Sequence, residues 1–110
     1  MGVLREPTFL ILAAVAPGPM HGYGIVRAVE GLSEGRVRLR AGTLYAALDR
    51  LVGEGSLGVD HEEVVDGRLR RYYRITDDGL AVLHSGVEQL ESNAAAARRQ
   101  LARRTDLGLA

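Results

Sequence analysis

Apolar residues run almost unbroken from Phe9 to Val15 and stop at Pro17-Gly18-Pro19. Such a run suits a buried strand or a buried helix. The Pro-Gly-Pro stop and the Gly-rich amphipathic segment behind it predict a short helix from Thr8 to Ala16. A second helix is predicted from His21 to Leu32, on a weak stripe of Tyr23, Val26 and Val29-Glu30 with Ile25 and Leu32 beside it. Gly22 and Gly24 each weaken a helix by up to ~1 kcal/mol relative to Ala. They are therefore expected in its first turn or at a close contact with a neighbouring helix. Leu44, Leu48 and Leu51 recur at i, i+4 and i+7 with Ala47 alongside, the stripe of a third helix that Gly53 and Gly55 end.

The period then changes from about 3.6 to 2. Leu57, Val59 and His61 alternate with Gly58 and Asp60, and Leu69, Arg71, Tyr73 and Ile75 alternate with Arg70, Tyr72 and Arg74. Asp66-Gly67 between them is a hairpin turn pair, so a β-hairpin is predicted from Leu57 to Ile75. Thr76 can cap a final helix whose first turn holds Asp77 and Asp78. Gly79 stands where a capping-box Glu would be, so the box is absent. The stripe Leu80, Leu83, Val87, Leu90, Ala94, Ala97, Leu101 is spaced 3, 4, 3, 4, 3, 4, which is three heptads. A helix to about Arg103 would be roughly 40 Å long, more than the small body before it can cover. Its excess apolar face is expected to meet a second copy, with Ala94 and Ala97 allowing close approach.

Three helices, a hairpin and a long helix give a mainly α fold with a β-hairpin: a winged helix-turn-helix plus a C-terminal dimerisation helix. The division is residues 1–75 for the winged head and 76–110 for the dimerisation helix and tail. In that arrangement the third helix enters the major groove of DNA and its first turn reaches base edges. That end carries Arg40, Ala41, Gly42, Thr43 and Tyr45. Gly42 permits close approach to a phosphate, Thr43 offers a hydroxyl or a cap, and Tyr45 a flat face and a hydroxyl. Arg40 can fork to a guanine or neutralise a phosphate. On the hairpin, alternation puts Arg70 and Arg71 on opposite faces. Arg68 and Arg70 are assigned to phosphate, while Arg71 is expected to pair with Glu62 or Glu63.

Charge tempers this picture without reversing it. The 110-residue chain has 14 basic and 14 acidic residues and a formal net charge of zero, whereas DNA-binding footprints usually carry an excess of positive charge. Every basic residue is arginine, however. Eight lie between Arg36 and Arg74 and four between Arg98 and Arg104. No cysteine is present, so disulfide and thiolate chemistry are excluded. His21, His61 and His84 lack metal-ligand spacing, and no phosphate-binding loop follows the glycines from Gly18 to Gly24. Glu62 and Glu63 point to opposite strand faces. An enzyme, a cofactor and a bound metal are therefore not expected, and His21 is read as a residue holding the helix start. No apolar run reaches membrane-spanning length, and the apolar run near the N-terminus lacks a signal-peptide cleavage pattern. A cytoplasmic chain is expected.

Gly18-Pro19-Met20-His21-Gly22-Tyr23, Gly42-Thr43-Leu44-Tyr45 and Asp66-Gly67-Arg68-Leu69-Arg70-Arg71-Tyr72-Tyr73-Arg74-Ile75-Thr76 occur in that order. Together they resemble the PadR family of bacterial transcriptional regulators, over roughly residues 4–90, and its smaller subgroup with a single short C-terminal helix. The resemblance implies DNA contact through Thr43 and Tyr45 and through Gly67 and Arg68 of the wing. It implies a homodimer in which the C-terminal helix meets the partner's N-terminal helix, through Phe9, Leu12, Leu83, Val87 and Leu90. It also implies repression, relieved by a small aromatic or hydrophobic effector, and two paired heads suit a palindromic operator in double-stranded DNA. The sequence departs from the family at Ala46 and Leu69, where prolines are common. The C-terminal helix also lacks the tryptophan that many members carry. The alternative is a winged-helix module for protein interaction, which the zero net charge favours slightly.

Overall fold

The computed structural model describes residues 4–108. Four helices and three strands follow in the order α1 (Glu6–Val15), β1 (Met20–His21), α2 (Gly22–Leu32), α3 (Ala41–Gly53), β2 (Leu57–Val65), β3 (Arg68–Ile75) and α4 (Asp77–Asp106). This is the expected mainly helical chain with a β-hairpin.

The core sits where α1, α2 and α3 meet the base of the sheet. Ile11, Leu12, Ala14 and Val15 come from α1, Ile25 and Val29 from α2, and Leu44, Leu48 and Leu51 from α3; Leu57 and Tyr73 close it from the strands. The leucine stripe of α3 is thus the buried face that its spacing predicts. The stripe expected for α2 needs correction. Ile25 and Val29 face the core, while Tyr23 and Leu32 are exposed. Leu12 needs correction too. At 0% exposure it is enclosed by its own head and offers no surface to a second chain.

Local chemistry sets the element ends. His21 caps α2, its Nδ1 accepting from the Gly24 amide at 3.1 Å. The same residue ends β1, a short strand that the sequence reading did not include. After α3, Gly55 turns at φ +81°. The Gly55 amide then reaches the Val52 carbonyl and the Ser56 amide the Leu51 carbonyl. That paired closure satisfies carbonyls the helix would otherwise leave open. Asp66 and Gly67 both have positive φ, 52° and 75°, as a tight hairpin turn requires.

The sheet order is β1-β3-β2, antiparallel throughout. Val59 stands opposite Tyr73 and His61 opposite Tyr72, so Asp60 is an extra residue in β2. This bulge breaks the expected alternation. His61 leaves the face of Leu57 and Val59 and joins that of Tyr72.

Thr76 caps α4, accepting from the Gly79 amide at 3.0 Å and donating to the Gly55 carbonyl. A Cβ on Gly79 would lie 2.0 Å from the Ser56 carbonyl oxygen. The missing capping-box Glu therefore has a physical cause: no side chain fits there. From this joint α4 runs for 30 residues, about 45 Å, to Asp106 and not Arg103. It gives the chain a long dimension of 66 Å against 27 and 21 Å.

Candidate nucleic-acid interface

The start of α3 is an open anion site in outline. Its N-cap, Arg40, makes no side-chain cap hydrogen bond, so the first-turn amides are uncapped by side chains and carry the positive end of the helix dipole. Thr43 is the third residue of the helix and does not cap it. Arg40, Gly42, Thr43 and Tyr45 are all exposed. Tyr45 is 48% exposed and leans over the start of α2. A Cβ on Gly22 would lie 2.5 Å from its Oη. Gly22 thus answers the expectation of a close helix contact, and it sets where the tyrosine stands.

Between this helix and the wing lies a groove of about 890 Å³, bordered by Tyr23, Tyr45 and Asp49 on one side and Arg68, Arg70 and Arg71 on the other. Asp49 and Tyr23 were not among the sequence candidates. Asp49 follows Gly42 by seven residues, so a helical wheel places both on the outward side of α3. That spacing is the signal that could have found it.

The arginines separate by their partners. Arg36 pairs with Glu6, Arg38 with Glu30 at 3.4 Å, and Arg50 with Glu54 at 2.9 Å. Arg50 also donates to Thr8 Oγ1, tying α3 to α1. Arg71 lies 3.6 Å from Glu62, as expected. The Tyr73 hydroxyl and Glu62 raise its guanidinium pKa. Arg74 lies over Gly58. Arg40, Arg68 and Arg70 enter no ion pair among the described residues. Gly67, at the wing tip, is exposed.

On the face of the wing that carries Arg70, opposite to that of Arg71 and Tyr73, three rings form a row across the three strands. Tyr72 stacks between His21 at 5.3 Å and His61 at 4.4 Å. Their surroundings pull the two imidazoles apart. Desolvation, with Arg70 nearby, lowers the His21 pKa. A hydrogen bond to Asp60, assisted by one to Glu63, raises that of His61. Among the described residues no cluster of His, Cys, Asp or Glu could hold a metal ion, and no helix is long and apolar enough to cross a membrane.

The expected dimer stripe divides in two. Leu80 and Leu83 are partly buried, and Leu83 packs on the head's own core. Val87, Leu90, Ala94, Ala97 and Leu101 are exposed, with Leu90 at 53% and Leu101 at 65%. A different side of α4 meets α1, where a Cβ on Gly86 would touch Phe9 and Leu4. An apolar cleft of about 970 Å³ opens there, bordered by Leu4, Phe9, Leu10, Val82 and Leu90. Phe9 is partly buried in it.

The family model for the transcriptional regulator PadR-like family matches residues 11–85. A transcriptional regulator of Mycobacterium tuberculosis is 41% identical over 81 residues, 74% of this chain and 72% of its own length. A PadR family regulator of Eggerthella lenta has a similar structure, with TM-score 0.70, 29% identity and coverage of 86% of this chain and 80% of its own. Bacillus subtilis PadR, solved in complex with operator DNA, matches in fold with TM-score 0.67 and 21% identity, over 76% of this chain and 47% of its own.

Proposed function

The chain belongs to the transcriptional regulator PadR-like family, and from that premise we propose that it represses transcription by binding a palindromic operator as a homodimer. DNA-binding transcriptional regulation, and not catalysis, is what the family fold suggests. The observation that carries the reading to particular residues is the sorting of arginines. Arg36, Arg38, Arg50 and Arg71 each have an acidic partner, whereas Arg68 and Arg70 line the groove beside Tyr45, and Arg40 stands at the start of α3, with no ion pair among the described residues.

In this reading residues 1–75 hold the reading head and 76–110 pair the chains in the cytoplasm. The first turn of α3 enters the major groove, with Gly42 and the free amides against a phosphate and Thr43 and Tyr45 at base edges or backbone. Gly67 lets the wing tip approach, and Arg68 and Arg70 reach the adjacent backbone. Phosphate contacts fix register and give salt-dependent affinity, while base contacts specify. Because one short helix makes few base contacts, two heads are needed. Phe9, Leu80, Leu83, Val87, Leu90, Ala94, Ala97 and Leu101 hold them together. Release by a small hydrophobic effector belongs to the same proposal. The apolar cleft between α1 and α4 supports it, and with Phe9 as its one aromatic border it suits an aliphatic ligand better than a stacked one.

The test is selection of duplexes by the purified protein, followed by titration of the selected site across salt. Binding should weaken steeply with salt, and Arg68→Ala should reduce the slope of log K against log salt by about 1. Absence of any salt-dependent duplex binding sinks the proposal. Replacement of Arg68 without effect removes the wing from it.

A further inference from the structure

This inference rests on the proposed binding of duplex DNA and concerns which base the head reads there. We propose that Asp49 selects a cytosine in each half-site, its carboxylate accepting from the exocyclic N4 amino group in the major groove.

Around α3 the residues sort by angle. Leu44, Leu48 and Leu51 are buried. The side turned away from them carries Gly42, Ala46, Asp49 and Gly53, all exposed. Tyr45 stands on one flank, over the start of α2. On the other flank Arg50 is held back, donating to Glu54 at 2.9 Å and to Thr8 at 2.9 Å. Asp49 is therefore the one residue of the outermost strip whose side chain carries a hydrogen-bonding group. It borders the groove that Arg68 and Arg70 line from the wing. Its carboxylate enters no ion pair among the described residues.

A carboxylate laid against DNA is repelled by the phosphates, so only a donor on a base edge can hold it there. The major groove offers two such donors, cytosine N4 and adenine N6, and guanine and thymine offer none. In adenine the acceptor N7 stands beside the amino group and repels a carboxylate. Cytosine has only a C–H beside its own. The chemistry therefore favours cytosine.

Aspartate is short, so this contact needs the helix to approach the base edges closely. The strip permits that approach, since its other members end at Cβ or earlier. The fold itself does not demand their smallness. A Cβ on Gly42 or Gly53 would meet nothing within 4 Å. The turn after α3 is made at positive φ by Gly55, not by Gly53. Gly53 thus weakens the helix relative to Ala with no return inside the chain. Asp49 lies about 12 Å along the axis from Ala41. The contact therefore lays α3 along the groove, with Thr43 and Tyr45 at its entering end and Asp49 further in.

The test repeats the duplex selection with wild type, Asp49→Ala and Asp49→Asn. Wild type should select a cytosine in each half-site that Asp49→Ala no longer distinguishes. Asp49→Asn should select adenine at the same place, because an amide pairs with N6 and N7 together. The other selected positions should stay as they are. A gained preference for adenine cannot come from a damaged head. Exchanging that cytosine for thymine should weaken wild-type binding about 5- to 30-fold and Asp49→Ala binding less than about twofold. Identical preferences in all three proteins would overturn the assignment while leaving DNA binding intact. So would a change in affinity shared equally by every duplex, which would reduce Asp49 to a diffuse charge. A wild type that selects no duplex removes the DNA reading and this inference together.

Discussion

Gly22→Ala separates the position of Tyr45 from the stability of the head. The added Cβ would lie 2.5 Å from Tyr45 Oη and 2.9 Å from Cζ, whereas non-bonded carbon contacts settle near ~3.5 Å or more. The hydroxyl must therefore move by about 1 Å. It belongs to the far end of a half-exposed ring, so the ring swings and the backbone stays. Replacing Gly by Ala in a helix gains up to about 1 kcal/mol, and displacing the ring returns a similar amount. Folding stability should change by less than about 1 kcal/mol, which thermal unfolding reads as a shift of at most ~8 °C. Operator binding should change far more. A hydrogen bond from the tyrosine to a phosphate is worth about 1.5–3 kcal/mol, so its loss weakens Kd roughly 10- to 150-fold. Fluorescence anisotropy on the selected operator, at fixed salt, measures this. Tyr45→Phe should show a comparable loss with Gly22 intact. If Gly22→Ala binds like wild type while Tyr45→Phe does not, the glycine does not position the ring. If both bind like wild type, Tyr45 contributes nothing to the interface. A stability loss above about 2 kcal/mol in Gly22→Ala would mean the backbone had yielded, contrary to the reasoning.

Gly79→Ala is the opposite case, because its Cβ would meet a backbone carbonyl at 2.0 Å. Overpacking against an atom that cannot swing away should cost about 1–3 kcal/mol, visible as a lowered melting temperature; an unchanged one refutes the contact. Leu90→Glu should give a monomer whose head remains folded by circular dichroism. Leu83→Glu should also disturb the head, since Leu83 packs on its core. Equal behaviour of the two would contradict that division. In an NMR titration His61 should lose its proton above the ordinary histidine pKa of about 6.5 and His21 below it. The contribution of His61 to stability should be full below its unfolded-state pKa and fade as pH rises through its folded one. A reversed order of the two midpoints would dismiss the Asp60 hydrogen bond as its cause.

Where one face is apolar and the other polar, the sequence was readable. The spacing of Leu44, Leu48 and Leu51 located α3 and its buried side. Asp66-Gly67 located the turn, and Thr76 the cap. Legibility failed where pattern carries no direction. The run from Phe9 to Val15 is apolar on every side, so nothing in it separates Leu12, which is enclosed, from Phe9, which reaches the α1–α4 cleft. In α2 the glycines thinned the stripe, and Tyr23 passed for a core residue when it borders the groove. One extra residue at Asp60 is invisible to an alternation count, yet it reverses the face of His61. The wing arginines were distinguishable by strand parity, but their pairing depends on acids brought close only by folding.

The joint at Gly79 has a mechanical consequence. Ser56, against which that glycine rests, is also the residue that closes the end of α3. α3 and α4 therefore rest on one residue, which in the proposed dimer joins the helix that reads DNA to the helix that pairs the chains. A sideways displacement of about 3 Å at the far end of a lever roughly 45 Å long tilts its root by about 4°, and Ser56 is where that tilt meets the end of α3. In the proposed dimer, adjusting the distance between half-sites thus calls for changes along the shaft of α4, while the fulcrum at residues 56 and 79 is best left alone.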